Sequence, residues 1–478
     1  MIKQTKIGAT IGPACGDVPT LIKMIKAGMN FARLNFSHGD YFSHGELMKN
    51  IREAEQKTQE PVTIIQDLQG PKIRVGVLPE TGVNIEVGQE LYLNTDRKNY
   101  VDHEIPIDYS QLHKFLNAGE RILIDDGHIE LNIQEIDGTR IKCNVIEGSC
   151  IKSHKGLNLP DSNLSIPVLT DKDREDLKFG VNAGVDMIAM SFVKTEKDIL
   201  DLRFLIEQYE MELGIKKEQP IRIIAKIERH EALIDLENII EAVDGIMVAR
   251  GDLGLEVKAA QVPLVQKKII DLANKVAKPV IVATQMLDSM RENSRPTRAE
   301  VSDVANAVID HADALMLTNE TAVGKYPVLT IKTMADIIKT TEKSSYDDTD
   351  PPPIRKKGVR VDTAISELTR VLAEELDVKL ILAASISGET GRLISHVRPN
   401  LPILVGTTTD RVMRQLNISW GIRPFILKPC RSIEELVERA ITYIKKQKIA
   451  KKEDLMIVVA GEPVGQAGNV NLVEVRKI

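Results

Sequence analysis

Eight short, almost uninterrupted apolar runs recur along the first two thirds of the chain, each followed by polar residues and then by a segment of helical period. They cover 7–11, 31–34, 62–65, 187–190, 221–225, 246–249, 280–283 and 314–317. A run without polar alternation is the signature of a strand buried on both faces, the condition of a parallel sheet covered by helices. Eight such units predict an α/β chain built on a closed (β/α)8 TIM barrel, in which every strand exit opens onto one mouth. The exits carry Thr10, then Arg33 with Asn35 and Ser37, Asp67, Ser191, Lys226 with Glu228, Arg250 with Asp252, Thr284 with Gln285, and Thr318 with Glu320.

Most neighbouring runs are separated by roughly 25 to 40 residues, the length of one strand-plus-helix unit, but the third and fourth stand about three times as far apart. An inserted domain explains the gap. Its alternating, Gly-punctuated segments, such as Glu90-Leu91-Tyr92-Leu93-Asn94, predict a small β-barrel that sits over the mouth as a lid, since both of its ends attach at strand exits. Near residue 344 the chain becomes Ser344-Ser345-Tyr346-Asp347-Asp348-Thr349-Asp350-Pro351-Pro352-Pro353, a linker composition. Beyond it, apolar runs at 380–383, 403–405, 425–427 and 456–459 alternate with helical segments and predict an open α/β sheet. The expected division is a barrel over 1–70 and 166–343, a lid over 71–165, and a C-terminal regulatory or oligomerisation domain over 344–478.

With a formal net charge of -6 on 478 residues, the chain has no global basic field to recruit nucleic acid or an anionic membrane. Cys15, Cys143, Cys150 and Cys430 show no zinc-type spacing, and no apolar span reaches membrane length. A cytoplasmic location is expected.

Chemistry is concentrated where the fifth and sixth runs end, at Lys226-Ile227-Glu228 and Ala249-Arg250-Gly251-Asp252-Leu253-Gly254. Two carboxylates on rigid elements suit a hard divalent cation, Mg²⁺ or Mn²⁺, and the neighbouring Lys and Arg suit an anionic substrate. The combination reads as phosphate chemistry.

Taken together with Ala32-Arg33-Leu34-Asn35-Phe36-Ser37-His38-Gly39, Asp67-Leu68-Gln69-Gly70-Pro71-Lys72-Ile73-Arg74, Ala283-Thr284-Gln285-Met286-Leu287-Asp288-Ser289-Met290 and Arg295-Pro296-Thr297-Arg298-Ala299-Glu300, these motifs resemble those of the pyruvate kinases, in order and at the right strand exits. The resemblance implies transfer of the phosphoryl group of phosphoenolpyruvate to ADP, giving pyruvate and ATP. It implies metal ligation by Glu228 and Asp252. It also implies catalysis by Lys226, Arg33, Thr284 and Thr318, and a substrate pocket of Arg33, Lys226, Gly251, Asp252, Thr284 and Ser191. The nucleotide side would comprise Pro13, Asn35, His38, Arg74 and Lys155, and the assembly would be a homotetramer. A phosphoenolpyruvate mutase or an aldolase would use similar enolate chemistry, but has no need of Arg74 and Lys155. A catalytically silent metabolite sensor would not need the set Lys226, Glu228, Asp252 and Thr284.

One departure has a physical consequence. Relatives that require K⁺ carry an acidic residue where this chain has Lys72, and an ammonium there would take the electrostatic role of the ion and repel a second cation. The expectation is K⁺-independent activity, with Asn35, Ser37, Asp67 and Leu68 no longer holding a monovalent ion and Lys72 replacing it. In the C-terminal domain the loop Ser385-Ile386-Ser387-Gly388-Glu389-Thr390 suits an anion at a helix start, although Glu389 opposes one. A phosphorylated allosteric effector is therefore expected there without being named.

Overall fold

The structure, a computed structural model, describes residues 3–162, 166–215, 220–347, 360–466 and 468–478. All eight apolar runs form strands: Lys6–Thr10, Phe31–Asn35, Thr63–Asp67, Met187–Met190, Arg222–Ile227, Gly245–Ala249, Val280–Ala283 and Ala314–Leu317. Each pairs in parallel with its neighbour in this series, and the last returns to the first in the register Lys6 to Ala314, closing the barrel. The interior is packed: Phe31, Ile65, Met187, Ile224, Met247, Ile281 and Met316 fill it. Phe31 lies so tightly across the first strand that a Cβ at Gly8 would fall 2.0 Å from its ring, which is why a residue without a side chain stands there. A second apolar layer, between the strands and the surrounding helices, includes Leu21, Met24, Ile51, Leu177, Ile239, Ile269, Val304 and Ile331.

Between the third and fourth barrel strands lies a six-stranded sheet, with a two-stranded sheet beside it. Its two edge strands are Glu104–Pro106 and Leu157–Asn158. Val75 bridges to Ile107 next to the first edge, and Arg74 bridges to Gly156 next to the second, so one short segment joins both edges of the sheet around its own core. That leaves few unpaired backbone groups at the rim. The turn at Gly127 rests against the barrel mouth, where a Cβ would lie 2.9 Å from Leu255 Cδ2.

The C-terminal sheet has five strands. Four are parallel; three of them contain the apolar runs, while the run at 425–427 only overlaps the end of the strand Ile422–Ile426, and the fifth, Leu472–Lys477, is antiparallel to Leu455–Ala460. Of the expected linker, residues 348–353 lie outside the described residues. This part of the chain closes the barrel floor. Ile418 is a member of the barrel's interior cluster at 1% exposure, a burial worth roughly 1.5–3 kcal/mol. Around it Lys6 Nζ donates to Ile422 O (2.5 Å), Asn417 Nδ2 donates to Asn30 O (2.7 Å) and Pro61 O (2.6 Å), and Trp420 N donates to Asp313 Oδ1 (3.0 Å). Among the described residues no helix is long and apolar enough to cross a membrane.

Candidate active site

The barrel brings side chains from separate strand exits onto one ionic array. Lys226 Nζ lies 2.8 Å from Glu228 Oε1, 3.3 Å from Asp67 Oδ1 and 2.7 Å from Ser191 Oγ. Arg33 Nε donates to Asp67 Oδ2 at 2.6 Å, and its Nη1 donates to Thr10 Oγ1 at 3.1 Å. The carboxylates of Asp67 and Glu228 are each 1% exposed. Charges this deep persist only when paired. Burial pulls the Lys226 ammonium down, but Asp67 and Glu228 outweigh it and hold the group above its ordinary value, so it stays charged. Burial alone would raise Asp67; Lys226 and Arg33 overcome it and keep that carboxyl below the usual range.

Glu228 is different. Burial raises its carboxyl, the charge of Asp252 raises it further, and the opposing pull of Lys226 does not compensate. Its Oε2 accepts from the Phe192 amide at 2.8 Å, and Phe192 holds a left-handed φ of 57°. Asp252 sits in the first turn of the helix Arg250–Glu256, where a helix dipole favours negative charge. Two carboxylates that repel one another on fixed backbone form a site whose strain a divalent ion would relieve. Among the described residues no group of three or more His, Cys, Asp and Glu side chains is placed to hold a metal alone. Glu228 and Asp252 supply two carboxylates, so an ion held there would complete its shell with water and substrate oxygens.

Thr284 has a φ of 72°, costly for a β-branched residue, and the following Gln285 also lies in the left-handed region at 54°. Arg250 secures this turn: its guanidinium donates to Thr284 O at 2.9 Å and pairs with Asp303 at 2.7 Å. The Thr284 hydroxyl accepts from Gly251 N at 2.8 Å. That amide, expected to receive a substrate carboxylate, is thus capped by Thr284, and a carboxylate would displace the hydroxyl. Thr318 is bound to its own loop, its N and Oγ1 donating to Glu320 Oε2 at 2.7 and 3.2 Å.

On the opposite side of the mouth, Pro13 and His38 are exposed, and Asn35 Oδ1 accepts from Ser37 N at 3.2 Å. Burial and the charges of Arg74, Arg33 and Lys72 push His38 below its usual value. Arg74 Nη1 donates to His154 O at 3.1 Å, and Lys155 pairs with Asp125 at 2.7 Å. Leu68 is buried, and its carbonyl accepts from Ser191 Oγ at 2.7 Å. The ion-pair partners of Asp67 are Arg33 and Lys226; the Lys72 side chain instead runs over the lid at Gly156, where a Cβ would fall 2.7 Å from its Cε.

Sequence reasoning did not single out the Arg250 clamp on Thr284, or the buried cluster Arg229, Glu231 and Glu256, in which Arg229 lies 3.0 Å from Glu231 and 3.4 Å from Glu256. The second joins Arg229 and Glu231, just after the fifth barrel strand, to Glu256 at the end of the helix that carries Asp252, and only the fold brings them together.

A parallel (β/α)8 barrel with this charged mouth and an inserted β-domain against it defines a phosphotransferase of the TIM-barrel class. A model of the pyruvate kinase barrel domain matches residues 2–331, and one of the pyruvate kinase alpha/beta domain matches residues 363–476. The chain is 40% identical to the pyruvate kinase of Geobacillus stearothermophilus over all of its own length and 81% of that protein, and 40% identical to that of Mycobacterium tuberculosis, covering 100% and 99% of the two chains. Its structure superposes on the crystal structure of a pyruvate kinase from Cryptosporidium parvum with a TM-score of 0.90 at 36% identity, covering 99% and 96% of the two chains. The chain belongs to the pyruvate kinase family.

Proposed function

We propose that this enzyme transfers the phosphoryl group of phosphoenolpyruvate to ADP in the cytoplasm, the last step of glycolysis, with a divalent cation and without K⁺. The observation that carries the reading is the triple contact of the Lys226 ammonium. Its three N–H groups meet three oxygens, from Ser191, Glu228 and Asp67, at 2.7, 2.8 and 3.3 Å, so the lysine stands against the same acid that would ligate the metal. Mg²⁺ or Mn²⁺ on Glu228 and Asp252 would supply a Lewis acid that grips the carboxylate and phosphate of the substrate and stabilises developing negative charge. Lys226 would contact the phosphoryl group in transfer, and Arg33 would hold the same group as a planar fork.

The P–O bond to the enol oxygen breaks as the terminal oxygen of ADP bonds to phosphorus, leaving an enolate whose carbon accepts a proton to give pyruvate. Thr284, with help from Thr318, would serve the relay of that proton, which arrives through water because a threonine hydroxyl is too weak an acid by itself. The amides of Gly251 and Asp252 receive the substrate carboxylate. Residues 71–165 act as the lid, carrying Arg74 and Lys155 to the nucleotide phosphates together with Pro13, Asn35 and His38. Lys72 adds fixed positive charge on the side where Asn35, Ser37, Asp67 and Leu68 would otherwise share a monovalent ion.

The family suggests a homotetramer assembled in part through the C-terminal unit 344–478, with a phosphorylated effector bound there. The test is a coupled pyruvate assay with Mg²⁺ in K⁺-free buffer. Full turnover supports the whole reading. Turnover only after K⁺ is added refutes the monovalent-ion part, and pyruvate without ATP refutes the reaction.

A further inference from the structure

Glu228 and Asp252 stand on different elements. The first follows the strand Arg222–Ile227, and the second lies in the helix Arg250–Glu256. Their separation is therefore set by whatever fastens that helix to the strand exit. A helix of seven residues is only about 10 Å long at 1.5 Å per residue and is marginal by itself, so its placement comes from contacts at its two ends. At its start, Arg250 pairs with Asp303 at 2.7 Å and donates to Thr284 O at 2.9 Å. Neither contact reaches the strand that leads to Glu228.

At the far end the link is direct. Lys226 and Glu228, two residues apart, meet at 2.8 Å, as alternate residues of an extended segment do. Arg229, one residue on, makes its contacts elsewhere. Its Nε and Nη2 donate to the two oxygens of Glu231 at 3.3 and 3.0 Å, a fork that fixes the plane of the guanidinium. The remaining nitrogen, Nη1, lies 3.4 Å from Glu256 Oε1. Glu256 ends the helix, one turn beyond Asp252 and so on the same face. The side chains of Arg229 and Glu256 are 9% and 2% exposed, and Glu256 Oε1 makes no hydrogen bond among the described residues, so the guanidinium is its counter-charge. The Glu256 carboxyl also takes a backbone hydrogen bond from His230, the residue after Arg229.

Electrostatics alone does not account for an arginine at this position. Glu228 stabilises the charge on Arg229, so the guanidinium draws on the same negative potential that would attract a metal ion, and by Coulomb interaction it opposes a second cation. We infer that Arg229 is a positioning residue for the metal site: gripped by Glu231, it holds the end of the helix Arg250–Glu256 through Glu256 and so sets the distance between Glu228 and Asp252. It touches neither ion nor substrate. This inference rests on the reading that those two acids hold the divalent cation.

The test is a Mn²⁺ titration of the full chain without substrate, with free Mn²⁺ read by electron paramagnetic resonance. The two roles differ in sign. Loss of a positive charge would tighten Mn²⁺ binding in Arg229→Met, whereas loss of placement weakens it. Removing a group that orients a metal ligand costs roughly 10- to 100-fold in metal affinity, and a rise of that size in the Mn²⁺ dissociation constant is expected. Combining Arg229→Met with Glu256→Gln removes one charge of each sign, which serves if the single variant does not fold. The combination is expected to bind Mn²⁺ as weakly as Arg229→Met, because both changes break the same link. Arg229→Lys keeps the charge without the fork, and its affinity is expected to fall between native and Arg229→Met. Native or tighter affinity in Arg229→Met, or affinity restored in the combined variant, overturns the inference alone. Native Mn²⁺ binding that survives Asp252→Asn overturns the assignment of the ion, and the inference with it.

Discussion

Replacing Lys226 with methionine separates catalysis from metal binding at the mouth. The substitution keeps the unbranched stem, one atom shorter, and removes an ammonium that touches Glu228, Asp67 and Ser191. Loss of one preorganised contact to transferring charge costs roughly 10² to 10³ in turnover, or about 2.7–4 kcal/mol of barrier. The same deletion unbalances the fold in a defined way. Asp67 retains Arg33 at 2.6 Å, but Glu228 retains only the Phe192 amide while Asp252 continues to repel it. Removing one partner of a buried pair typically costs about 3–5 kcal/mol, so the metal-free variant should melt below the native protein. A divalent ion repairs that deficit, and its affinity should rise because the competing ammonium is gone. Calorimetric melting with and without Mn²⁺, beside the pyruvate assay, tests both halves. The expected outcome is turnover down by at least about a hundredfold with a larger Mn²⁺-induced rise in Tm than in the native enzyme. Turnover within tenfold of native, or weaker Mn²⁺ binding in the variant, refutes the argument.

Mn²⁺ affinity without substrate should weaken by about tenfold per pH unit once Glu228 begins to protonate, because burial and Asp252 hold that carboxyl above its ordinary value and the ion must displace the proton; isothermal titration over a pH series measures it. Arg250→Met should release the left-handed turn at Thr284, lowering turnover more than it weakens substrate binding, which steady-state kinetics resolves. Ile418→Ala should cost roughly 2–5 kcal/mol by opening a cavity in the barrel floor, and denaturant melting should show it. The carboxyl of Glu256 is raised to about 7, first by burial, so the folded state binds its proton more tightly than the unfolded chain does. Its contribution therefore favours folding at low pH and is lost as pH rises from about 4.5 towards 7, and Glu256→Gln should flatten melting temperature against pH across that window.

The barrel was legible because its strands are buried on both faces, so that each apolar run needed no partner to be recognised. The antiparallel strand Leu472–Lys477 was not, since most of its residues are only partly buried and its pattern resembles an edge loop. At the mouth, the strand-exit acids and bases were readable as residue types. Their pairing was not, because Asp67 meets Arg33 from the adjacent paired strand and Lys226 from a strand beyond the inserted domain, contacts that only the assembled sheet makes. The path of Lys72 over Gly156 likewise depends on how the inserted sheet is seated, and the capping of the Gly251 amide by Thr284 depends on a backbone conformation that a threonine rarely adopts.

Ile418 completes the floor of a barrel whose last strand ends at Leu317. During synthesis that isoleucine leaves the ribosome about a hundred residues, and so several seconds, after the eighth strand, given elongation at about 5–20 residues per second. For those seconds the nascent barrel stands bottomless, its lower apolar layer wet, and full cohesion waits on the arrival of the final third of the chain.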